Sequence, residues 1–273
     1  MKKFFYILWK YLGIKNLEKF IIIKILQQEY KKEKFQNQKS LVKHGFKVYS
    51  QQDEDGIIEE IFKRIGEENK KFIEIGVETG VECNTTYLLL KKWSGLWIEG
   101  NKSYKNKIDE NFIKYINKEN LRVNYTEVNP DNINFELEKY YKKNESIDLL
   151  SIDIGVHTFH TLEKISLINP RVIVTEYNAK FGPSIEWIID YDKKKIWDGS
   201  DNFGASLKSF EKMLDKKGFK LVGCNISGAN AFFVRKDCMS DNFEDYYHSE
   251  YHFNEGKKWL KAAFEKDYKA KIY

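Results

Sequence analysis

Runs of β-branched and aromatic residues alternate with stretches of helical periodicity from residue 46 onward, and this alternation constrains the fold more than any other feature. Seven runs have the composition of strands: residues 71–75, 95–99, 121–128, 147–154, 171–177, 219–224 and 230–236. Helical stretches separate the first six runs, which predicts parallel strands with helices on both faces of the sheet. The last two runs are joined only by "NISGA", which is too short for a helix and predicts antiparallel pairing. We therefore expect an α/β fold with a mainly parallel seven-stranded sheet and a terminal antiparallel hairpin.

The length of the chain limits the number of domains, and its charge indicates which partners it favours. The 273 residues, of which 42% are apolar, suffice for one large domain with an appendage. We expect an N-terminal amphipathic helical extension over residues 1–45, the main domain over residues 46–240, and a helical tail packed on it over residues 241–273. A net charge of +5 from 46 basic and 41 acidic residues gives a surface of mixed sign that leans toward anionic partners. There is no concentrated basic stripe of the kind that binds nucleic acid.

The cysteines indicate the compartment. Cys83, Cys224 and Cys238 are odd in number and far apart, with neither metal-ligand spacing nor a disulfide framework. A reducing cytoplasm is the natural location for such a chain.

The N-terminal segment, "MKKFFYILWKYLGIKNLEKFIIIKIL", interleaves apolar residues with lysines. A membrane-spanning helix needs roughly 20 consecutive apolar residues, and the lysines interrupt this segment too often. A signal peptide would need a small-residue cleavage site, which is missing here. The remaining interpretation is a basic amphipathic helix with two open roles. It packs on the main domain or on a second copy in a homodimer, or it lies on the anionic face of the inner membrane.

The stretch "KFIEIGVETGVECN" (residues 71–84) places Gly76 directly after the first predicted strand and Gly80 four residues later. Ligands of doubly wound sheets bind at the carboxyl ends of the strands, where glycines let the backbone approach a ligand closely. The absence of a third glycine counts against a dinucleotide-binding loop. Glu99 ends the second strand nineteen residues after Gly80. A carboxylate there can accept hydrogen bonds from a ribose diol, although it is also an ordinary residue at a solvated strand end.

Several segments occur in one order across residues 49–237: "YSQQDEDGIIEEIF", "FIEIGVETGVECNTTYLL", "GLWIEGN", "VNPDNIN", "IDLLSIDI", "RVIVTEYNAKFGP" and "WDGSDNFGASL…GFKLVGCNISGANAFFVRKD". Together they resemble the class I S-adenosylmethionine (SAM)-dependent methyltransferases of the FkbM-type group, which have a Rossmann-like fold. Bacterial members of that group are associated with modifying surface glycans and small metabolites. The resemblance leaves out the N-terminal helix and the C-terminal tail, and it is specific for fold and cofactor rather than for an acceptor.

The resemblance implies cofactor contacts by position. Glu74, Gly76 and Gly80 would frame the methionine and ribose of SAM, and Glu99 would hold the ribose. The other implied positions are Asn84 for the loop or the amino-acid moiety, Asn129, Pro130 and Asp131 beside the adenine, Gln51, Gln52 and Glu54 as an N-terminal wall, and Asp153 toward the methyl group.

One segment departs from the family pattern. Relatives often have D-I-D-G-N-D after the fourth strand, whereas this chain has "DIGVHTFH", which keeps Asp153 and introduces His157 and His160. The two histidines lie three residues apart and would share a helix face. Either is a candidate general base with Asp153, because imidazole titrates near neutral pH. The alternative is that both are residues of a helix start, capping or packed under the sheet.

Two further features bear on the reaction. Asp153, Glu176 and Asn178 follow successive strands and could hold Mg²⁺, although such oxygen groups also occur in metal-free sites. Residues 181–203 form a long connection of the kind that often serves as a lid. This connection could wall an acceptor pocket and attract phosphate through the lysines at 193–195, or it could be a surface loop anchored by the buried aromatic residues Trp187, Tyr191, Trp197 and Phe203.

The sequence therefore predicts a SAM-dependent methyltransferase that acts on an O or N atom of a sugar or of a small phosphorylated or nucleotide-linked precursor. The setting suggested by the resemblance is surface-polysaccharide or capsule biosynthesis. Two alternatives stay open: a non-catalytic scaffold with a degenerate methyltransferase fold, and an enzyme that uses a dinucleotide.

Overall fold

The computed structural model describes residues 14–264, and a single seven-stranded sheet organises them. The strand order is β3-β2-β1-β4-β5-β7-β6, and β7 runs antiparallel to both of its neighbours while the other pairings are parallel. The predicted fold class is confirmed. The strands are β1 Lys71–Ile75, β2 Ser94–Ile98, β3 Leu121–Asn124, β4 Glu145–Ile152, β5 Ile168–Glu176, β6 Phe219–Cys224 and β7 Asn230–Arg235.

Helices cover both faces of the sheet because successive strand residues point to opposite sides. On β1, Ile73 belongs to one buried apolar cluster and Phe72 to the other. The described helices are α1 Ile14–Glu29, α2 Glu54–Ile65, α3 Thr86–Leu90, α4 Lys105–Asn117, α5 Ile133–Glu138, α6 Thr158–Lys164, α7 Leu207–Lys216, α8 Ser249–His252 and α9 Lys261–Phe264. Side chains of α5, α6 and α7 join the first cluster, and those of α2, α3 and α4 join the second.

One strand is shorter than expected. The sequence predicts β3 over residues 121–128, but the strand ends at Asn124. β3 lies at the edge of the sheet, and its single neighbour β2 ends at Ile98, which pairs with Asn124. Beyond Asn124, β3 therefore has no strand to pair with, and residues 125–128 form the loop that leads to α5.

The N-terminal extension packs on the domain through one face of α1. Ile22 and Leu26 are buried with Val42, Ile226 and Leu260. Residues 1–13 and 265–273, which include the start of the predicted extension and the end of the predicted tail, lie outside the described residues. Within residues 14–264, no helix is long and apolar enough to cross a membrane.

Candidate cofactor and acceptor site

The strand order reverses at β1, which lies between β2 and β4, so the predicted ligand crevice opens between the carboxyl ends of β1 and β4. Gly76 and Asp153 follow these two strands directly, and the backbone N–H of Asp153 donates to the Ile75 carbonyl at 2.9 Å. Gly76 has φ +85°, and a Cβ there would lie 1.9 Å from the Asp153 carbonyl oxygen. Only glycine fits this close approach. Gly80 instead serves packing, since a Cβ there would lie 2.6 Å from the rings of Trp97 and Phe112.

Glu99 joins the end of β2 to the loop that follows β1. Its Oε2 accepts hydrogen bonds from the N–H groups of Val77 at 3.0 Å and Glu78 at 2.7 Å, and its Oε1 accepts from the Asn101 N–H at 2.7 Å. A carboxylate has about four acceptor positions, and three are used here. The side chain therefore organises the loop and keeps capacity for about one hydroxyl, rather than the two hydrogen bonds expected for a ribose diol.

Glu74 holds the start of α3 from beneath the same loop. Its buried carboxylate accepts hydrogen bonds from the N–H groups of Asn84 at 2.9 Å and Thr85 at 3.0 Å and from the Ser151 hydroxyl at 3.3 Å. Burial raises the pKa of Glu74 to about 7. The amide group of Asn84 also donates to the Ser151 hydroxyl, at 3.1 Å. Glu74 and Asn84 thus support the loop from the protein side.

The predicted N-terminal wall runs along the carboxyl edge of the sheet. Gln51 is exposed, whereas Gln52 and Glu54 are buried. The Glu54 carboxylate accepts hydrogen bonds from the amide groups of Asn225 at 2.8 Å and Asn230 at 2.9 Å. It therefore fastens the start of α2 to the turn between β6 and β7.

The predicted adenine side is a tight turn before α5. The Asn129 N–H donates to the Asn132 side chain at 2.8 Å, and the Asn129 side-chain oxygen accepts from the Asp131 N–H at 2.9 Å. Pro130 is half-buried within this turn. These hydrogen bonds occupy the Asn129 oxygen locally, and the exposed Asp131 carboxylate points outward, 3.5 Å from the Lys193 ammonium nitrogen.

Asp153 and His157 lie four residues apart in the segment that follows β4. Asp153 is exposed, and its Oδ1 accepts from the Gly155 N–H at 3.3 Å. His157 ends the 3₁₀ turn Gly155–His157 and is half-buried. Burial lowers the pKa of His157, while the nearby Glu127 carboxylate opposes this effect. Its imidazole is therefore neutral at pH 7 and able to accept a proton.

His160 bonds the backbone of the long connection, as His157 does at Lys195. Its Nε2 lies 2.7 Å from the Ile189 carbonyl oxygen, so that nitrogen must carry the proton and donate. This leaves Nδ1 alone to act as a base and makes His160 an anchor for the long connection. The Tyr191 ring contacts both imidazoles, at centroid distances of 5.9 Å to His157 and 5.4 Å to His160. The expectation that the two histidines share a face matches this geometry.

The long connection over residues 181–203 crosses the carboxyl edge of the sheet. At its end the Asn178 amide group donates to the carbonyl oxygens of Asp201 at 2.7 Å and Phe203 at 3.0 Å. At its start Trp187 stacks on Phe181, with ring centroids 4.3 Å apart. Between these anchors, Lys193 forms an ion pair with Asp131, which lies in the loop after β3. The long connection, which begins after β5, therefore reaches that loop. It therefore spans the space in front of β4.

The structure does not support the predicted magnesium site. The Asn178 side-chain oxygen accepts from the Lys180 N–H at 3.1 Å, and its nitrogen is used by the long connection. Among the described residues, no group of three or more His, Cys, Asp or Glu side chains is placed to hold a metal ion. The predicted set of Asp153, Glu176 and Asn178 is not supported.

Sequence reasoning missed three contributors to this edge of the sheet. Glu127 is one of them, because the sequence predicts residues 121–128 wholly as a strand. Asn225 and Asn230 lie in and after a turn whose composition signals only a hairpin. Their hydrogen bonds to Glu54 join residues far apart in sequence, and a local sequence pattern cannot predict such contacts.

Comparison with known proteins finds solved structures that resemble this chain only weakly. No family model matches the chain, and no curated protein matches it. Similar solved structures include a SAM-dependent methyltransferase from Aquifex aeolicus (14% identity, TM-score 0.39, covering 64% of this chain and 87% of that chain). Others are a S-adenosylmethionine-dependent methyltransferase from Clostridium acetobutylicum (12%, TM-score 0.40, 67% and 90%) and the SAH-bound Podospora anserina methyltransferase PaMTH1 (15%, TM-score 0.42, 65% and 76%). At these values the likeness carries no argument about activity. The Rossmann-like methyltransferase fold follows from the strand order and the direction of β7.

Proposed function

We propose that this protein is a SAM-dependent methyltransferase of the FkbM type that modifies an O or N atom of a sugar or of a small phosphorylated or nucleotide-linked precursor. One observation carries the proposal. Gly76 brings the loop after β1 close to the start of the segment after β4 at the switch point of the sheet, and Glu99 fixes that loop from the next strand. Such an arrangement suits a ligand with a sulfonium or thioether centre, a ribose and an adenine laid across three strand ends.

The residues of the acceptor side supply positioning and proton removal. SAM, when bound, supplies an electrophilic methyl group. His157, neutral at pH 7, accepts the proton that the acceptor hydroxyl or amine loses. Asp153, exposed in the same segment, orients a sugar hydroxyl through hydrogen bonds. Lys193 and Lys194 are exposed on the long connection and favour an anionic acceptor.

The test is methyl incorporation from labelled SAM into a panel of nucleotide sugars and sugar phosphates. We expect transfer to at least one anionic acceptor, and we expect it to fall by about 100-fold or more in a His157→Asn variant. A panel without transfer by a protein that binds S-adenosylhomocysteine (SAH) would contradict the acceptor class. A setting in surface-polysaccharide or capsule biosynthesis follows only if a glycan precursor is the acceptor.

A second candidate, a non-catalytic scaffold, is favoured by two observations. Glu99 already accepts three hydrogen bonds from the protein, and "DIGVHT" lacks the second carboxylate of the family pattern. A folded protein that binds neither SAM nor SAH would support the scaffold and overturn the enzyme.

A further inference from the structure

Helix α1 has two apolar faces, and the domain covers only one of them. Ile22 and Leu26 lie on the inner face and are buried. On the opposite side Leu17, Phe20, Ile21 and Ile25, here called the outward face, are 38–58% exposed. Their spacing of three, four and eight residues places them on one stripe of the helix. A folded domain therefore presents a row of large apolar side chains without a partner among the described residues.

The charge on this stripe identifies the kind of partner. Lys24 follows Phe20 by four residues and Ile21 by three, so it lies among the apolar side chains, with its ammonium nitrogen 5.4 Å from the centroid of the Phe20 ring. The first seventeen residues of the sequence contain four lysines and no carboxylate, together with Phe4, Phe5 and Trp9. Aromatic and aliphatic residues mixed with lysines are the composition that binds the interface of anionic lipid bilayers.

We propose that the outward face of α1, together with the lysine-rich sequence that precedes it, docks on an anionic lipid surface. A second copy fits this face less well. A symmetric contact between parallel helices would bring two Lys24 ammonium groups together within an apolar interface, where like charges repel and lose their hydration. Phosphate headgroups provide the opposite charge, and acyl chains receive the exposed apolar side chains.

The packing of α1 fixes the orientation of the docked protein. Its inner face packs against Ile226, which lies in the turn between β6 and β7 at the carboxyl edge of the sheet. Docking would therefore hold this edge beside the bilayer. If the proposed function also holds, the acceptor is one presented at the membrane surface. That consequence rests on the proposed function, whereas lipid binding does not.

The test is flotation of the full-length chain with vesicles of phosphatidylcholine alone or mixed with phosphatidylglycerol. We expect binding to the mixed vesicles that weakens as salt is raised, and little binding to phosphatidylcholine alone. A Phe20→Ser, Ile21→Ser double variant should bind the mixed vesicles at least about tenfold more weakly, because two large apolar side chains no longer enter the interface. The matched control is Ile113→Ser on α4, where an apolar side chain of similar exposure (51%) is removed far along the chain.

Circular dichroism and SAH titration of the double variant separate lost docking from lost folding or lost cofactor binding. Three results would overturn the proposal: wild-type protein that stays unbound, equal binding to both kinds of vesicle, or equal losses in the double variant and the control. A lipid-free dimer that the double variant dissociates would assign the outward face to a second copy instead.

Discussion

Replacing Gly76 with alanine tests the close approach of β1 and β4 at the switch point. The new Cβ would lie 1.9 Å from the Asp153 carbonyl oxygen, whereas real Cβ contacts essentially never fall below 3.0 Å. Neither strand can retreat freely, because Ile75 pairs with Ile152 and its carbonyl accepts the Asp153 N–H. The left-handed φ costs about 1–2 kcal/mol for alanine, and the forced shift costs about 1–3 kcal/mol more.

The sum, about 2–5 kcal/mol, should lower the midpoint of thermal unfolding by roughly 4–20 °C in a chain of this size. Gly218→Ala is the matched control, because Gly218 has φ +92° but no atom within 4 Å of its Cβ position. It should lose only about 1–2 kcal/mol, or roughly 2–8 °C. Circular dichroism melts of both variants, with SAH titrations, measure the difference. Equal losses in the two variants would refute the steric reasoning, and unchanged SAH affinity in Gly76→Ala would remove Gly76 from the site.

Three further predictions concern the charged groups. Glu99→Gln should leave the fold intact but weaken SAH binding by about 10- to 100-fold in calorimetry, because both carboxylate oxygens accept from backbone N–H groups and a glutamine amide nitrogen cannot accept. Burial raises the pKa of Asp53 from 3.8 to about 8, so the folded protein binds a proton that the unfolded chain releases, and stability falls as pH rises through that interval. Asp53→Asn should flatten this decline in melts from pH 5 to 8 and stabilise the protein at pH 8 by about 1–3 kcal/mol. Because burial lowers the pKa of His157, the acid limb of the pH–rate profile should lie below pH 6.5, and His160→Asn should reduce turnover less than His157→Asn.

Each of these predictions has a contrary result. Unchanged SAH affinity in Glu99→Gln would mean that the loop needs no charged anchor. A parallel pH dependence of melting in the wild type and Asp53→Asn would assign the decline to other buried acids, of which Glu74 is one, with its pKa raised to about 7. A larger loss of turnover in His160→Asn than in His157→Asn would exchange the roles of the two histidines.

The sheet was predictable from sequence because its strands are buried on both faces and form nearly continuous β-branched runs. β6 Phe219–Cys224 has the predicted bounds, and β1 does as well. The predicted end of the edge strand β3 is wrong because it depends on the length of β2, its neighbour in the sheet. The short turn between β6 and β7 gave the antiparallel pairing correctly, since no helix fits into five residues.

The site was less predictable because its hydrogen bonds depend on tertiary packing. The position of Glu99 could be inferred from spacing, but its bonds to the loop amides of Val77 and Glu78 could not. Likewise, residues 181–203 were recognised as a long connection, yet the contact of Lys193 with Asp131 depends on how the segment folds across the sheet. Asn178 looked like a metal ligand in sequence because its hydrogen bonds to Asp201 and Phe203 are visible only in the structure.

The most direct measurement of the central claim is calorimetric titration of the purified wild-type protein with SAH, beside a titration with reduced nicotinamide adenine dinucleotide. Binding of SAH at roughly micromolar affinity, with weaker or no binding of the dinucleotide, is expected if the switch point holds SAM. A folded protein that binds no SAH would contradict the methyltransferase proposal, and tighter binding of the dinucleotide would assign the same crevice to a different class of enzyme.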